Sequence, residues 1–261
     1  MNPNTPTGAI VVVLSCAFVC AILVSATTVT LRPIQEQNQL IERSRNIVML
    51  SGLVPVDQPL SGDEVLAALA NLDPRVVDLE SGTFIPGETE FDARAVSGNP
   101  EFTVSIPTEL DSAGLRRRTQ LEQVYLVWKG DQLHRVIVPI NGQGMWSRLW
   151  GFIALNSDLN TIGAVSFYEQ AETAGLGDQI MRSEWQAQWS GRQLFDQRGN
   201  LRFRVAPGPA SDERHEVDGL SGATVTADAV TGLVAYWFGS HGYAPFLAEL
   251  QSNPPTPGGE Q

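Results

Sequence analysis

Residues 123–140 read QVYLVWKGDQLHRVIVPI, and this stretch determines the fold of the globular part of the chain. Residues 123–128 and 134–140 are rich in valine, isoleucine and aromatic residues, which favour strands. Lys129-Gly-Asp lies between them and indicates a turn. The sequence therefore predicts a β-hairpin, in which the two strands pair antiparallel.

The segments on either side of this hairpin add further strands and then helices. Residues 151–155 and 164–168 predict two more strands, and residues 182–189 and 201–205 predict a short helix and another strand. A helix is predicted from Thr226 to Phe238, with one continuous apolar face. Strands followed by helices, without regular alternation, indicate an α+β fold with a largely antiparallel sheet.

Upstream of the hairpin the pattern is weaker. Ser61 followed by Glu64 forms the signature of a capping box and predicts the start of a helix. Residues 76–118 are rich in glycine, proline and acidic residues, and we expect them to be irregular.

An apolar run of 24 residues, Gly8 to Leu31, lies near the N-terminus, and the first 31 residues contain no charged side chain. A bilayer core needs about 20 such residues in a helix. The alternative is a cleaved signal peptide, since Val24-Ser25-Ala26 would pass as a cleavage site. The segment before the run lacks lysine and arginine and the run is long, so a retained transmembrane helix is favoured.

The sequence divides into five predicted segments. Residues 1–7 form a short N-terminal segment, 8–31 the transmembrane helix, 32–52 a stalk helix, 53–250 the globular domain, and 251–261 a disordered tail rich in proline and glycine. Charges near the span orient it weakly. Arg32, Arg43 and Arg45 lie on its C-terminal side, mixed with acidic residues, and alone they favour a cytoplasmic globular domain.

Charge and residue types exclude several classes of function. A net charge of -12 argues against binding to nucleic acid, which needs clustered lysine and arginine. Both cysteines, Cys16 and Cys20, lie in the predicted span, so the globular domain has no disulfide and no thiolate metal site. The three histidines lack metal-ligand spacing. Gly142-x-Gly144-x-x-Ser147 lacks the third glycine of a dinucleotide fingerprint. We expect no metal and no NADH site.

The stretch DGLSGATVT, residues 218–226, is the strongest candidate for chemistry. Thr224 follows two very small residues, Gly222 and Ala223, which leave its hydroxyl accessible, and it lies just before the predicted helix. The start of a helix favours a bound phosphate through its free N–H groups and its dipole. The alternative is that Ser221, Thr224 and Thr226 only cap this helix, and on spacing alone capping is the more common role.

Five segments of the chain resemble one known family. Asp-x-x-Ser-Gly-Ala-Thr resembles the motif at which a periplasmic flavin transferase attaches FMN to threonine. In the C subunit of the Na+-translocating NADH:quinone oxidoreductase, this motif lies near the C-terminus of a one-span protein. Further similarity to that family lies in RPIQEQ at 32–37, GQGMWS at 142–147, GFIAL at 151–155 and YEQAETAGLG at 168–177. Ala174 departs from the family, which often has proline there.

The resemblance implies a covalent cofactor and the residues around it. FMN would be joined to Thr224 by a phosphodiester, with Asp218, in a surface loop, and Ser221, Gly222 and Ala223 recognised by the transferase. The residues themselves suggest that the turn after the fourth predicted strand holds the isoalloxazine ring, with Leu176 against it and Thr173 donating a hydrogen bond, because its glycines permit close approach; the alternative is an ordinary glycine turn after a strand. The turn consists of Glu172, Thr173, Ala174, Gly175, Leu176 and Gly177. The loop carrying Trp146 is the second candidate for the ring.

The resemblance also implies a function. The chain would be an electron-transfer subunit in the bacterial inner membrane, with a periplasmic C-terminal domain, relaying electrons between redox centres of the complex. No catalytic residue and no NADH or quinone site is then expected on this chain, because the enzyme is the whole complex with its other subunits. Two alternatives stay open: a related subunit of an Rnf-type electron-transport complex, and a flavin-free anchored scaffold module.

Overall fold

The computed structural model describes residues 5–55 and 60–258. Its contacts divide the chain into two units, Met1–Arg43 and Ser44–Gln261. The boundary between the units lies between Arg43 and Ser44, inside the predicted stalk. One helix, α1 (Pro6–Leu50), continues through this boundary. The stalk was predicted to extend to residue 52, and the helix ends two residues earlier.

The first unit consists of the greater part of α1. Within residues 5–55 and 60–258, α1 is the one helix long and apolar enough to cross a membrane. The hydroxyls of Thr27, Thr28 and Thr30 donate to the carbonyls four residues earlier, at 2.8, 2.8 and 2.9 Å. Polar groups in an apolar surrounding need such partners, so these hydroxyls are compatible with a lipid environment.

The second unit is built on an antiparallel sheet of five strands in the order β1-β4-β5-β6-β7. Its strands are β1 (Asp73–Asp78), β4 (Leu121–Lys129), β5 (Gln132–Gln143), β6 (Arg148–Asn156) and β7 (Ile162–Glu169). Two small sheets accompany it, formed by β2 (Thr103–Ser105) with β3 (Arg117–Thr119) and by β8 (Arg204–Val205) with β9 (Glu216–Val217). The predicted α+β class with a largely antiparallel sheet is confirmed.

Five further α-helices occur in the described part of the second unit. They are α2 (Gly62–Ala70), α3 (Ala93–Val96), α4 (Ser183–Ala187), α5 (Thr224–Trp237) and α6 (Ala244–Ser252). A short 3-10 helix, Gly177–Met181, precedes α4. The capping box at the start of α2 is confirmed, since Ser61 and Glu64 exchange both hydrogen bonds.

Most of residues 76–118 is irregular as predicted, but the end of β1, the short helix α3, β2 and the start of β3 lie there. Two predictions about local structure were wrong. The strand predicted at 201–205 is shorter, with only Arg204 and Val205 in β8. The predicted tail begins too early, because α6 continues to Ser252 and Pro255 is buried. Residues 259–261 of that tail lie outside the described residues, as do residues 1–4 of the predicted N-terminal segment.

The sheet separates two apolar cores. On one face, side chains such as Val124, Leu126 and Val138 pack with α5 and the aromatic residues that follow it. On the other face, alternate residues of the same strands pack against Ile47 and Leu50 at the end of α1. Side chains of a strand point alternately to its two faces, so β4, β5, β6 and β7 each contribute to both cores. These cores make the sheet a fixed platform for the connections that leave its strands.

Helix α5 crosses the sheet over β5 and carries the start of the candidate site. Val230, Leu233 and Val234 are fully buried beneath it. The approach is close, since a Cβ at Gly142 of β5 would lie 3.1 Å from the Leu233 side chain. The indole of Trp237 donates to the Asn141 carbonyl at 2.7 Å and fixes the other end of the helix. The position of the α5 N-terminus is therefore determined by packing along its whole length.

Candidate functional site

The start of α5 is not capped by a side chain. The helix begins at Thr224, two residues earlier than predicted, and the residue in the N-cap position is Ala223. No side chain caps the helix, so the alternative that Ser221, Thr224 and Thr226 only cap it is wrong. The first N–H groups of a helix have no intrahelical acceptor, so this terminus offers donors and a positive dipole end to an anion.

The hydroxyls near this terminus differ in accessibility. Thr224 and Ser221 are exposed, whereas Thr226 has only 2% of its surface exposed and donates its hydroxyl to Glu172 at 2.7 Å. Gly222 has φ +73°, a left-handed conformation that favours glycine, and it forms the turn just before Thr224. Burial makes Thr226 inaccessible as an attachment point, and Thr224 and Ser221 remain as the accessible hydroxyls.

Asp218, at the beginning of the same segment, is held in place on three sides. Its backbone N–H donates to Gln188 Oε1 at 2.9 Å, and its carbonyl accepts the Trp185 indole at 2.8 Å. Its carboxylate accepts the Ala210 N–H at 2.8 Å. Asp218 lies in a loop, as expected, but it is half-buried, and its carboxylate stabilises the connection that contains Ala210.

Substitution at Asp218 should separate a recognition role from this structural one. Asp218→Ala removes the acceptor of the Ala210 N–H and should cost about 1 to 3 kcal/mol of unfolding free energy. Asp218→Asn retains an acceptor oxygen and should leave the stability nearly unchanged. If the transferase reads the charge, both variants lose flavin loading, as measured by intact mass. Full loading of a stable Asp218→Asn variant would remove the charge from that role.

The turn at residues 172–177 lies beside the Ser221–Gly222 segment. A Cβ at Gly222 would come within 2.9 Å of Leu176 Cδ2, so these two residues are in close contact. Gln179 joins the segments, since its amide donates to the Leu176 carbonyl at 2.7 Å and to the Ser221 carbonyl at 3.0 Å. Thr173 and Gly175 are both exposed in the same turn. The structure therefore brings Leu176 next to the segment that ends in Thr224.

Glu172 connects this turn with two other segments. Its carboxylate accepts the N–H groups of Met145, Trp146 and Ser147 at 3.1, 2.9 and 3.1 Å, together with the hydroxyl of Thr226. We call residues 144–147 the Trp146 loop. The Trp146 loop, the turn and the start of α5, which are far apart in the sequence, therefore meet at one carboxylate.

The charge of Glu172 is held by hydrogen bonds. Burial disfavours the ionised form, but the N–H of Trp146, the hydroxyl of Thr226 and the N–H groups of Ser147 and Met145 outweigh it and lower the pKa below its usual value. A carboxylate that accepts several N–H groups is stabilised as an anion. Glu172 is therefore ionised at neutral pH.

An exposed apolar surface surrounds these segments. It is formed by side chains of the Trp146 loop, the turn, the 3-10 helix and α5, namely Met145, Trp146, Leu176, Met181 and Val225. Trp146 is 67% exposed. An uncapped helix start beside exposed apolar side chains fits a molecule that combines a phosphate with a flat aromatic ring, as FMN does.

The groups that hold the segments together were not apparent from the sequence. Thr226 was weighed only as a cap, and Gln179 was not singled out. Gly144 and Gly177 were the signal in the sequence, because glycines mark positions where other groups approach the backbone closely. A Cβ at Gly144 would lie 2.7 Å from Glu172 Oε1, and one at Gly177 would lie 2.8 Å from Thr226 Oγ1. Within the described residues, no group of three potential metal ligands occurs.

Comparison with known proteins agrees with this geometry. The family model described as FMN-binding domain matches residues 144–239, which include the Trp146 loop, the turn and α5. The C subunit of the Na+-translocating NADH-quinone reductase of Neisseria meningitidis serogroup B is 38% identical over 248 residues, 94% of each chain. The protein of the same name from Vibrio anguillarum is 37% identical over 243 residues, 92% of this chain and 93% of its own.

A solved structure has the same fold. The crystal structure of Shewanella oneidensis NqrC superposes with a TM-score of 0.75 at 30% identity and covers 84% of this chain and 100% of its own. The fold and the site thus define an FMN-binding domain that follows a candidate membrane helix. The chain belongs to the NqrC family, the C subunits of the Na+-translocating NADH-quinone reductase.

Proposed function

We propose that the chain is the FMN-carrying electron-transfer subunit of a Na+-translocating NADH:quinone reductase, relaying electrons between redox centres of that complex. The main support is the exposed Thr224 hydroxyl at the uncapped start of α5, beside the exposed Leu176 side chain. The relatives that share nearly the whole chain are subunits of that reductase by name. The other subunits of the complex are the partners that this function requires.

The attachment of FMN is proposed at Thr224, as a phosphodiester formed by a flavin transferase outside the cytoplasm. The remaining negative charge of such a phosphodiester would lie at the positive end of α5, where the N–H groups of the first turn stabilise it. Asp218 and residues 221–223 precede Thr224 as the proposed recognition segment. When bound, FMN supplies the electron-transfer chemistry, and the protein supplies its position and surroundings.

The isoalloxazine ring needs a second point of contact, because a phosphodiester and a ribityl chain are flexible. We place the ring against Leu176, which contacts the Ser221–Gly222 segment, with Thr173 in the same turn as a hydrogen-bond donor. The Trp146 loop, held to α5 through Glu172, is the second surface available to it. A fixed ring position is needed for efficient transfer between centres.

Replacing Leu176 with alanine tests the position of the ring. Leu176→Ala should leave the covalent bond intact and should change the absorption spectrum and midpoint potential of the flavin, because an apolar contact of the ring is lost. Leu66→Ala is the matched control, since Leu66 in α2 is 42% exposed and Leu176 is 41% exposed. A Leu176→Ala protein with the spectrum and potential of the Leu66→Ala control would show that the ring lies elsewhere.

Colour after denaturation separates the proposal from the flavin-free scaffold. The full chain is purified in detergent from its native membrane, denatured in guanidinium and passed over a desalting column. An electron-transfer subunit with covalent FMN stays yellow, and a scaffold module yields a colourless chain. The Rnf-type alternative is tested by the purified complex itself, which on our proposal oxidises NADH and reduces quinone in a Na+-dependent manner.

A membrane position is part of the proposal. We assign residues 8–31 as the transmembrane segment and place the domain that follows on the periplasmic side of the bacterial inner membrane. The apolar length of α1 supports the span, and the extracytoplasmic transferase expected for this motif supports the orientation. Residues 32–43 would then connect the span to the second unit, which begins at Ser44.

A further inference from the structure

We propose that Glu172 is a positioning residue: its buried carboxylate joins the Trp146 loop to the first turn of α5 and so fixes the surface around Thr224 without touching the cofactor. The part of this inference that concerns the cofactor rests on the proposed function. The part that concerns the protein rests on the hydrogen bonds, the glycines and the burial around one carboxylate.

The carboxylate of Glu172 has no capacity left for a ligand. Oε1 accepts the N–H groups of Trp146 and Ser147 at 2.9 and 3.1 Å and the Ser147 hydroxyl at 3.2 Å. Oε2 accepts the Met145 N–H at 3.1 Å and the Thr226 hydroxyl at 2.7 Å. Two carboxylate oxygens offer about four lone-pair sites, so these donors occupy them fully. Glu172 is 8% exposed, which leaves no open side for the flavin.

Two glycines keep the space that this carboxylate occupies. A Cβ at Gly144 would lie 2.7 Å from Glu172 Oε1, and a Cβ at Gly177 would lie 2.8 Å from both Glu172 Cβ and Thr226 Oγ1. Neither glycine has a positive φ, so the backbone conformation alone does not require glycine at these positions. Glycine is required because a Cβ at either position would collide with Glu172 or Thr226. Both glycines therefore leave room for the same buried carboxylate.

The Trp146 loop is held by its hydrogen bonds to Glu172 and by one further bond between Ser147 and Ala171. Three consecutive N–H groups, from Met145 to Ser147, point at one side chain, and the Ser147 hydroxyl also accepts the Ala171 N–H at 2.7 Å. The loop cannot move away from Glu172 without breaking several of these bonds together, and Glu172 is in turn bonded to α5 through Thr226. The exposed Trp146 indole is thereby carried on a backbone whose place relative to Thr224 is set by Glu172.

The first test uses the full chain in detergent without flavin and measures amide hydrogen exchange at residues 145–147. Glu172→Gln keeps the shape but replaces an acceptor oxygen with an NH2 group, and exchange should become about tenfold faster because N–H groups lose their acceptor. Thr226→Val removes only the bond from α5 to the carboxylate. Exchange in the loop should then rise about threefold, because the carboxylate that the loop shares with α5 is held less firmly.

Combining the variants tests whether Glu172 is the connection. Thr226→Val should have no further effect on loop exchange in the Glu172→Gln background, since the connection is already broken. Equal effects of Thr226→Val in both backgrounds would overturn the proposal. So would unchanged exchange in Glu172→Gln. If Glu172→Gln fails to fold, Thr226→Val alone decides: loop exchange equal to that of the wild type contradicts the coupling.

The second test uses the flavin-loaded chain and measures the midpoint potential. Glu172→Gln removes a buried negative charge beside the site and should raise the potential, because that charge disfavours reduction of the flavin. Thr226→Val keeps the charge and should shift the potential less. An unchanged potential in Glu172→Gln overturns the claim that Glu172 sets the surroundings of Thr224. A chain that carries no covalent flavin refutes the proposed function and leaves the exchange experiment valid.

Discussion

Thr224→Ala is expected to abolish covalent FMN completely, and denatured protein of this variant should be colourless with the mass of the unmodified chain. The hydroxyl that would carry the phosphodiester is then missing, and the other threonine of the motif cannot replace it. Thr226 is buried and its hydroxyl is bonded to Glu172, so it is inaccessible to a transferase.

The controls for this result are chosen by exposure and chemistry. Thr224→Ser keeps a hydroxyl and should retain flavin, at least in part. Ser221→Ala removes the other exposed hydroxyl and should leave the attachment point intact. Because Thr224 is exposed and does not cap α5, Thr224→Ala should alter stability by less than about 0.5 kcal/mol. Covalent flavin in a folded Thr224→Ala protein would refute the assignment.

The second large effect concerns topology. Protease added to spheroplasts should digest the domain after residue 31 completely, because the proposed attachment of flavin places that domain outside the cytoplasm. A reporter enzyme active only in the periplasm, fused after Gln261, should likewise be active. This expectation opposes the weak charge argument from Arg32, Arg43 and Arg45, which the expected site of flavin attachment outweighs.

Inverted membrane vesicles provide the matched control for the topology. The same protease should leave the domain intact there, since it would face the vesicle lumen. A domain that is protected in intact spheroplasts and digested in inverted vesicles would contradict both the orientation and the attachment of flavin by an extracytoplasmic transferase.

Local patterns in the sequence were sufficient to predict much of this fold. The hairpin at residues 123–140 became β4 and β5, and the Ser61–Glu64 capping box became the start of α2, because each depends on residues close in sequence. Strand β1 was missed, since it begins Asp73-Pro74 and lacks an apolar run. Helix α6 was missed as well, although Phe246, Leu247 and Leu250 are buried at helical spacing.

The site was predictable in its segments and not in its connections. The motif at residues 218–224 and the turn at residues 172–177 were found through resemblance, and the structure brings them together. Gln179 connects them through the Ser221 carbonyl, and Glu172 bonds to Thr226, which lies 54 residues away. No local pattern pairs residues over such distances. The half-buried position of Asp218 likewise depends on Trp185 and Gln188 in another part of the chain.

Peptide mapping of the native protein tests the proposed attachment of FMN most directly. The full chain, purified from its own membrane and denatured, is digested, and the flavin-containing peptide is sequenced by tandem mass spectrometry. We expect a single flavin peptide that contains residues 218–226, with the phosphoryl-FMN group on Thr224. Flavin on Ser221, or a chain whose peptides in this region are all unmodified while the complex is active, would contradict the assignment.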